Sequence, residues 1–494
     1  MKKDRILKLI LAVLISYQAC AQPVFNRYYG VSGTVLGIQD MIKTYDDGSL
    51  TLFNTNTNGY LLKLNNEGDT LWMKNIGGRN DYMSIAETDD YHIMVGGIDL
   101  LKLDEFGDEV WSKQFLGPID GTPQSNLSSV TKVGNGSALL TSERYQYWNF
   151  GSWAYENALS VYKLDENGDT LWTKHLYDPA LFQLSSLAVS VSAKKILEDD
   201  FGNLYAYAVF VDAMDTYNIF WKLDASGNTI WIKKSTSGVT QYNDGIIKSN
   251  GNLVFVGEGV SSINGASAFE MDASGNVIWS KLITSVNSGQ GSDITELHNG
   301  NLAISVKPLP GGSVTYQSGL YICNDTLDVL STTLHGGDNT SGFGKIIQHD
   351  DLGIVNGIST RAFSFTTELN FCKVDTLGGT VGCHEQYPNP SVIDVAISFT
   401  DFPLNDTIGG SSVPVSNGPI HESAVEYFRN FDLEGNVISA DCFEEMGGVD
   451  VSANGTAPYS FIWSNGTNAE DLVAYAGIYQ VTAIDANGCI ISDT

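Results

Sequence analysis

Chemistry in a chain of this size would fall to histidines, cysteines, carboxylates or a nucleophile on a sharp turn. The seven histidines (His92, His175, His298, His335, His349, His384 and His421) lie far apart and never form HExxH. No GxSxG elbow, phosphate-binding loop or dinucleotide fingerprint occurs. Acidic residues recur more regularly: Asp104, Asp165, Asp224 and Asp272 each stand three positions before a glycine. Such a series could be a ring of calcium sites. Each Asp could instead cap a tight turn through hydrogen bonds from side chain to backbone. D-x-x-G lacks the ligand density of a calcium loop, so no metal or other cofactor is assigned and calcium stays the alternative. The densest aromatic stretch is Arg144–Tyr155, RYQYWNFGSWAY, with six aromatics in twelve positions. Exposed, such rings could stack on sugars or anchor a protein partner, which makes Tyr147, Trp148 and Trp153 the candidate ligand-binding residues. They could equally pack as cross-strand pairs or against a neighbouring unit. No catalytic residue is assigned.

The elements that would position these residues are written in a repeat. The phrase reads KLNNEGDTLW at Lys63–Trp72, KLDEFGDEVW at Lys102–Trp111, KLDENGDTLW at Lys163–Trp172, KLDASGNTIW at Lys222–Trp231 and EMDASGNVIW at Glu270–Trp279. Apolar residues lead in, an Asp/Asn and Gly cluster turns the chain, and a β-rich run leads out. That is a β-hairpin. One tryptophan at a fixed point on each outgoing strand is a packing device between units, so Trp72, Trp111, Trp172, Trp231 and Trp279 are read as structural. Intervals between them run from 39 residues (Trp72 to Trp111) to 61 (Trp111 to Trp172). A constant hairpin with variable loops fits blades of a β-propeller, with four strands each.

A second, looser hairpin precedes each copy: MIKTYDDGSLTL, IAETDDYHIMV, VTKVGNGSALL, ILEDDFGNLYA, GIIKSNGNLVFV, ITELHNGNLAI and IIQHDDLGIV. Two hairpins make one blade. Tyr321–Gly337 and Phe371–Cys383 hold degraded copies of the tryptophan hairpin, which brings the count to seven blades. Phe25–Gly30 (FNRYYG) matches the outgoing strand Trp72–Gly77 (WMKNIG) and is expected to close the ring by joining the last blade.

Composition sets outer bounds. Among 494 residues, Asp and Glu exceed Lys and Arg by 30, so a nucleic-acid partner, which needs a basic patch, is excluded as a class. Residues 1–21 read as a signal peptide, with Lys2, Lys3 and Arg5 before an apolar run and Ala19-Cys20-Ala21 at the cleavage site. A lipoprotein cysteine at Cys20 is the alternative. No later apolar run is long enough to span a membrane. Five cysteines would remain in the mature chain. Cys442 with Cys489, and Cys372 with Cys383, are the candidate disulfides, and Cys323 is left over.

The domains expected are a signal peptide (1–21), a seven-bladed β-propeller (22–386), a connecting β segment or divergent eighth blade (387–440) and a small β-sandwich (441–494), all β throughout. In the last, PYSFIWSNG, AGIYQVT and DANGC follow in order, with Trp463 as the core residue facing Tyr479.

Two resemblances follow from these motifs. The tryptophan hairpin resembles the docking repeat of quinoprotein-type propellers, where Trp also follows Gly by four residues. It has one residue fewer between Asp and Gly, and the adjacent-cysteine pair of the quinone dehydrogenases is absent, so the likeness implies fold alone. The sialidase Asp-box fails on spacing, since Asp165 and Gly168 are three apart. The C-terminal motifs resemble the SprB repeat of gliding-motility adhesins, an immunoglobulin-like β-sandwich, and the whole resembles secreted proteins of Bacteroidetes type. That resemblance implies export by type IX secretion, a secreted or cell-surface location, and a non-enzymatic adhesion role with a surface glycan or protein as partner. Such proteins usually end in a sorting domain, and none precedes the stop at Thr494, so a fragment is expected. A glycan-active hydrolase or lyase using the propeller channel is the alternative, and a scaffold binding a peptide at a blade edge is a third.

Overall fold

In the computed structural model, described residues are 25–30, 35–77, 82–97, 99–116, 127–134, 136–149, 152–177, 190–211, 216–235, 241–259, 265–284, 289–307, 318–335, 344–361, 367–375, 391–394, 399–401, 405–408, 411–414, 421–422, 427–430, 432–438, 447–454, 457–475, 479–484 and 490–493. The expected signal peptide lies outside them.

Alternating apolar runs and Asx-Gly turns fold into seven antiparallel sheets. Blade 1 comprises Val35–Lys43, Ser49–Thr55, Gly59–Leu64 and Thr70–Gly77. Blades 2 to 6 repeat this order, starting at Ser84, Leu127, Ser190, Tyr242 and Gln290. Blade 7 takes three strands from Lys345–Gln348, Ile354–Arg361 and Thr367–Val374. Its fourth strand is Phe25–Gly30, antiparallel to Thr367–Val374, with Phe25 opposite Lys373. In blade 1 the corresponding pair is Lys63 with Trp72, so Phe25 occupies the register of the tryptophan. The first strand of every blade touches the first strand of the next, and that of blade 7 touches that of blade 1. The ring is closed, with first strands lining the axis.

Middle strands are buried on both faces, as in Ser49–Thr55 and Gly59–Leu64, because each blade is covered on both sides by its neighbours. The core therefore lies between blades. Leu50, Leu52 and Leu61 of blade 1 pack with Ile85, Ile93 and Leu103 of blade 2. Across the closure, Tyr29, Leu369 and Phe371 pack with Ile38, Phe53 and Leu62.

The stretch expected as a connector or eighth blade is a belt. Strands Ser391–Asp394, Phe399–Asp401, Asn405–Ile408, Ser411–Pro414, His421–Glu422 and Tyr427–Asn430 add antiparallel fifth strands to blades 5, 4, 3, 2, 1 and 7 in turn. The chain thus runs backwards around the rim. Its last rung pairs with Phe25–Gly30, so the closing strand is held from both sides. Pairing along the outer strands covers edges that would otherwise offer open backbone groups.

Asp432–Ile438 pairs with Gly447–Asn454. The C-terminal unit therefore includes this strand. It has two three-stranded sheets, the other formed by Ser460–Trp463, Val481–Ile484 and Ile490–Asp493. Val451 and Leu472 of the first sheet pack with Phe461, Trp463, Val481 and Ala483 of the second. The Trp463 indole N–H donates to the Ala469 carbonyl at 3.0 Å.

Candidate functional site: the blade 3 ribbon and the axial ring

The recurring aspartates sit in the turns between third and fourth strands. Asp104 Oδ1 accepts from the backbone N–H of Phe106 and Asp108, both at 2.9 Å. Asp165, Asp224 and Asp272 accept the same two bonds from their own turns. These carboxylates cap turns. Among the described residues, no group of three or more His, Cys, Asp and Glu is gathered as metal ligands would be.

Each capped turn is gripped by the preceding blade. Trp172 of blade 3 donates its indole N–H to Ala225 O of blade 4 at 3.3 Å, and Trp231 of blade 4 to Ala273 O of blade 5 at 3.1 Å. The lysine leading each phrase reaches the same turns: Lys163 to Ala225 O at 3.2 Å and Lys222 to Ala273 O at 3.1 Å. The lysine following the tryptophan adds an ion pair, as in Lys113–Asp169 at 2.6 Å. Closure uses the same device: Lys373 donates to Asn66 O at 3.0 Å, and the Tyr29 hydroxyl donates to Gly68 O. Trp279 departs from the pattern. Its N–H goes to Glu270 of its own blade at 2.7 Å, because Glu270 replaces the leading lysine.

The aromatic stretch forms a hairpin. In blade 3 the second and third strands are Gly136–Asn149 and Ser152–Leu164. The first strand pairs only as far as Thr141, and the fourth only as far as Leu159. Among the described residues, seven further pairs, from Glu143 with Ala158 to Asn149 with Ser152, join the two strands only to each other. At about 3.4 Å per residue this two-stranded ribbon is about 20 Å long. Trp148 and Trp153 are register partners, and Tyr147 stands opposite Ala154.

Around the axis is a ring the sequence reading missed. The residue just before each inner-strand phrase is Asp40, Ser84, Ser129, Lys195, Asp244, Asp293 or Lys345. A register shift precedes it in blades 1, 3, 4, 5 and 6, a local kink of the kind that re-aims a side chain. Neighbouring members meet across the blade boundaries. Asp40 accepts from Ile85 N–H at 2.9 Å, Ser84 from Val130 N–H at 3.2 Å, and Ser129 from Ile196 N–H at 3.2 Å. Lys195 pairs with Asp244 at 2.6 Å. Asp293 accepts from Ile346 N–H at 2.6 Å and pairs with Lys345 at 3.1 Å. The Asp244 and Asp293 carboxyls lie within electrostatic reach of each other. Burial pushes Asp244 up, but Lys195 and Lys345 outweigh it and hold this carboxyl well below the usual range. Burial, reinforced by the neighbouring Asp244, pushes Asp293 well above it. Two neighbouring carboxyls disfavour ionising together. Seeing this ring in the sequence requires aligning the seven phrases and reading one position upstream, where every copy is polar.

The histidines serve separate contacts. His175 is buried against the Ser160 hydroxyl at 2.6 Å, and His298 meets Gln348 at 2.7 Å. His349 meets Asn66 across the closure at 2.7 Å. Burial, helped by Lys373, pulls its pKa down to about 4. Cys323 and Cys372 are buried, and burial pushes both thiols up. Cys383, Cys442 and Cys489, needed for the candidate disulfides, lie outside the described residues. Among the described residues no helix is long and apolar enough to cross a membrane.

No protein-family model matches the chain, and no curated protein matches it in sequence. Among solved structures the chain is similar to the Dos1 propeller, at 12% identity and a TM-score of 0.40, over 69% of this chain and 78% of that one. It is also similar to Drosophila Plexin A in complex with Semaphorin 1b, at 7% identity and a TM-score of 0.24, over 73% and 76%. The seven-blade count rests on the sheet order of this chain itself.

Proposed function

We propose that the chain is a secreted or cell-surface, non-enzymatic binding protein of adhesion type. Its propeller is the interaction platform, and the blade 3 ribbon is the element that engages a surface glycan or protein. The observation that carries this reading is the ribbon itself: seven register pairs that, among the described residues, no flanking strand joins, in the most aromatic stretch of the chain. An aromatic hairpin presents large contact area at low entropic cost. The axial carboxylates and lysines are engaged from blade to blade, which favours a structural duty for the channel over hydrolysis or elimination. The C-terminal unit is read as an immunoglobulin-like spacer of SprB type, on the motifs PYSFIWSNG and DANGC. Its likeness to gliding-motility adhesins of Bacteroidetes supports an exported location reached by type IX secretion.

The test is the double variant Trp148→Ala/Trp153→Ala, compared with the unaltered protein on a glycan array and on intact cell surfaces. The expected result is unchanged thermal unfolding, with binding weakened at least about thirtyfold, as for a central aromatic anchor. Absence of binding by the unaltered protein, or equal binding by the variant, removes the reading.

A further inference from the structure

The first hairpins of blades 1 and 2 bring two exposed tyrosines together. Tyr45 lies in the turn Thr44–Gly48 and Tyr91 in the turn Thr88–His92. Their ring centroids are 4.3 Å apart at an interplanar angle of 42°. Tyr45 is 73% exposed and Tyr91 40%. Both backbones are fixed. Tyr45 N–H donates to Glu87 Oε2 at 2.7 Å, and Tyr91 N–H donates to Thr88 O at 3.0 Å. Tyr91 sits at φ +65°, a left-handed position that Gly202, Gly251 and Gly300 fill in blades 4, 5 and 6. A bulky residue is disfavoured there, yet this is the residue that reaches the neighbouring turn. The neighbouring Tyr45 phenol raises the Tyr91 phenol above its ordinary value.

We propose that Tyr45 and Tyr91 form a site of oxidative cross-linking, taking a one-electron phenol oxidant of the haem peroxidase and hydrogen peroxide class. Each phenol gives up one electron and one proton to become a phenoxyl radical. The two radicals couple through a carbon–carbon bond between ring carbons ortho to the oxygens. The two ring hydrogens displaced from those carbons move to the oxygens and restore the phenols. The peroxide takes up the two electrons and two protons and leaves as two waters. Rings held in contact on two rigid turns need no diffusional encounter, so coupling within the chain outpaces coupling between chains. The product is a covalent staple across the boundary of blades 1 and 2. It forms whatever the ribbon binds.

The experiment treats the full chain with horseradish-type peroxidase and hydrogen peroxide, then maps proteolytic peptides by mass. The expected product is a monomer with one peptide pair joined at Tyr45 and Tyr91, lighter by two hydrogens and carrying dityrosine fluorescence. Tyr45→Phe and Tyr91→Phe keep the rings and the fold, and each is expected to abolish that product. Prior unfolding in guanidinium chloride is expected to abolish it too. Tyr475, 57% exposed on the C-terminal unit, serves as the accessible comparison and is expected to remain unlinked. Survival of the product in either Phe variant, random linkage that includes Tyr475, or no linkage at all overturns the proposal.

Discussion

Asp244→Ala is the sharpest probe of how the ring is held. The substitution removes the carboxylate that pairs with Lys195 at 2.6 Å, the link from blade 4 to blade 5, and that acts electrostatically on Asp293 of blade 6. The Asp244 side chain is 4% exposed and that of Lys195 26%. Removing one partner of a buried pair costs about 3–5 kcal/mol, because the other charge is left uncompensated. Partial wetting of Lys195 puts the expected loss at the low end, about 3 kcal/mol. At about 2 °C per kcal/mol for a unit of this size, the melting temperature should fall by about 6 °C. Asp108→Ala is the control. It breaks a similar-looking pair with Lys74 at 3.1 Å, in which the lysine is 10% exposed but Asp108 is 69% exposed, so a smaller loss of about 1–2 kcal/mol is expected. Adding Lys195→Met to Asp244→Ala should recover part of the loss, since no unpaired ammonium remains. Urea unfolding at pH 7, followed by tryptophan fluorescence, reads all four proteins, because Trp221 is fully buried between blades. If Asp244→Ala costs no more than Asp108→Ala, or the second substitution deepens the loss, the axial network is a solvated channel lining and not a set of blade-to-blade links.

Two further outcomes follow from the turns and the closure. Gly227 and Gly251 share nearly the same backbone, φ +84° and +83°, but a Cβ on Gly227 would sit 2.9 Å from the Trp172 ring, whereas one on Gly251 meets open space. Gly251→Ala should cost about 1 kcal/mol from the left-handed backbone alone, and Gly227→Ala roughly 2–4 kcal/mol, the excess being lost tryptophan docking; equal costs in chemical denaturation would show that the ring does not bear on the turn. His349, held near pKa 4 against 6.5 when free, is protonated more readily in the unfolded chain, so stability should be full above pH 6.5 and fall as pH drops toward 4. The loss should be about 3 kcal/mol, and His349→Gln should flatten that part of the pH profile; an unchanged profile would remove His349 as its cause.

Much of the architecture was legible because it is written locally and repeated. A hairpin needs only its own turn residues, so KLDENGDTLW announces strand, turn, strand and docking ring within ten positions. Phe25–Gly30 could be matched to Trp72–Gly77 residue by residue, and the closing strand takes that register. The aromatic density of Arg144–Tyr155 was equally plain, but its form as a two-stranded ribbon depends on where the flanking strands stop pairing. The belt left no sequence signal. Its rungs are two to four residues long and pair through the backbone, whose groups are the same for every residue type. The axial ring was hidden for a different reason: Asp40, Ser129, Lys195 and Lys345 share no type and lie far apart in the chain. They become partners only when seven first strands converge on one axis, where burial makes each polar group depend on the next blade for its hydrogen bond. The sequence by itself thus determined the unit, its turns and the way one unit grips the next. Only tertiary closure decided which charges meet at the centre and which edges the returning chain covers, because those contacts join residues that no local pattern relates.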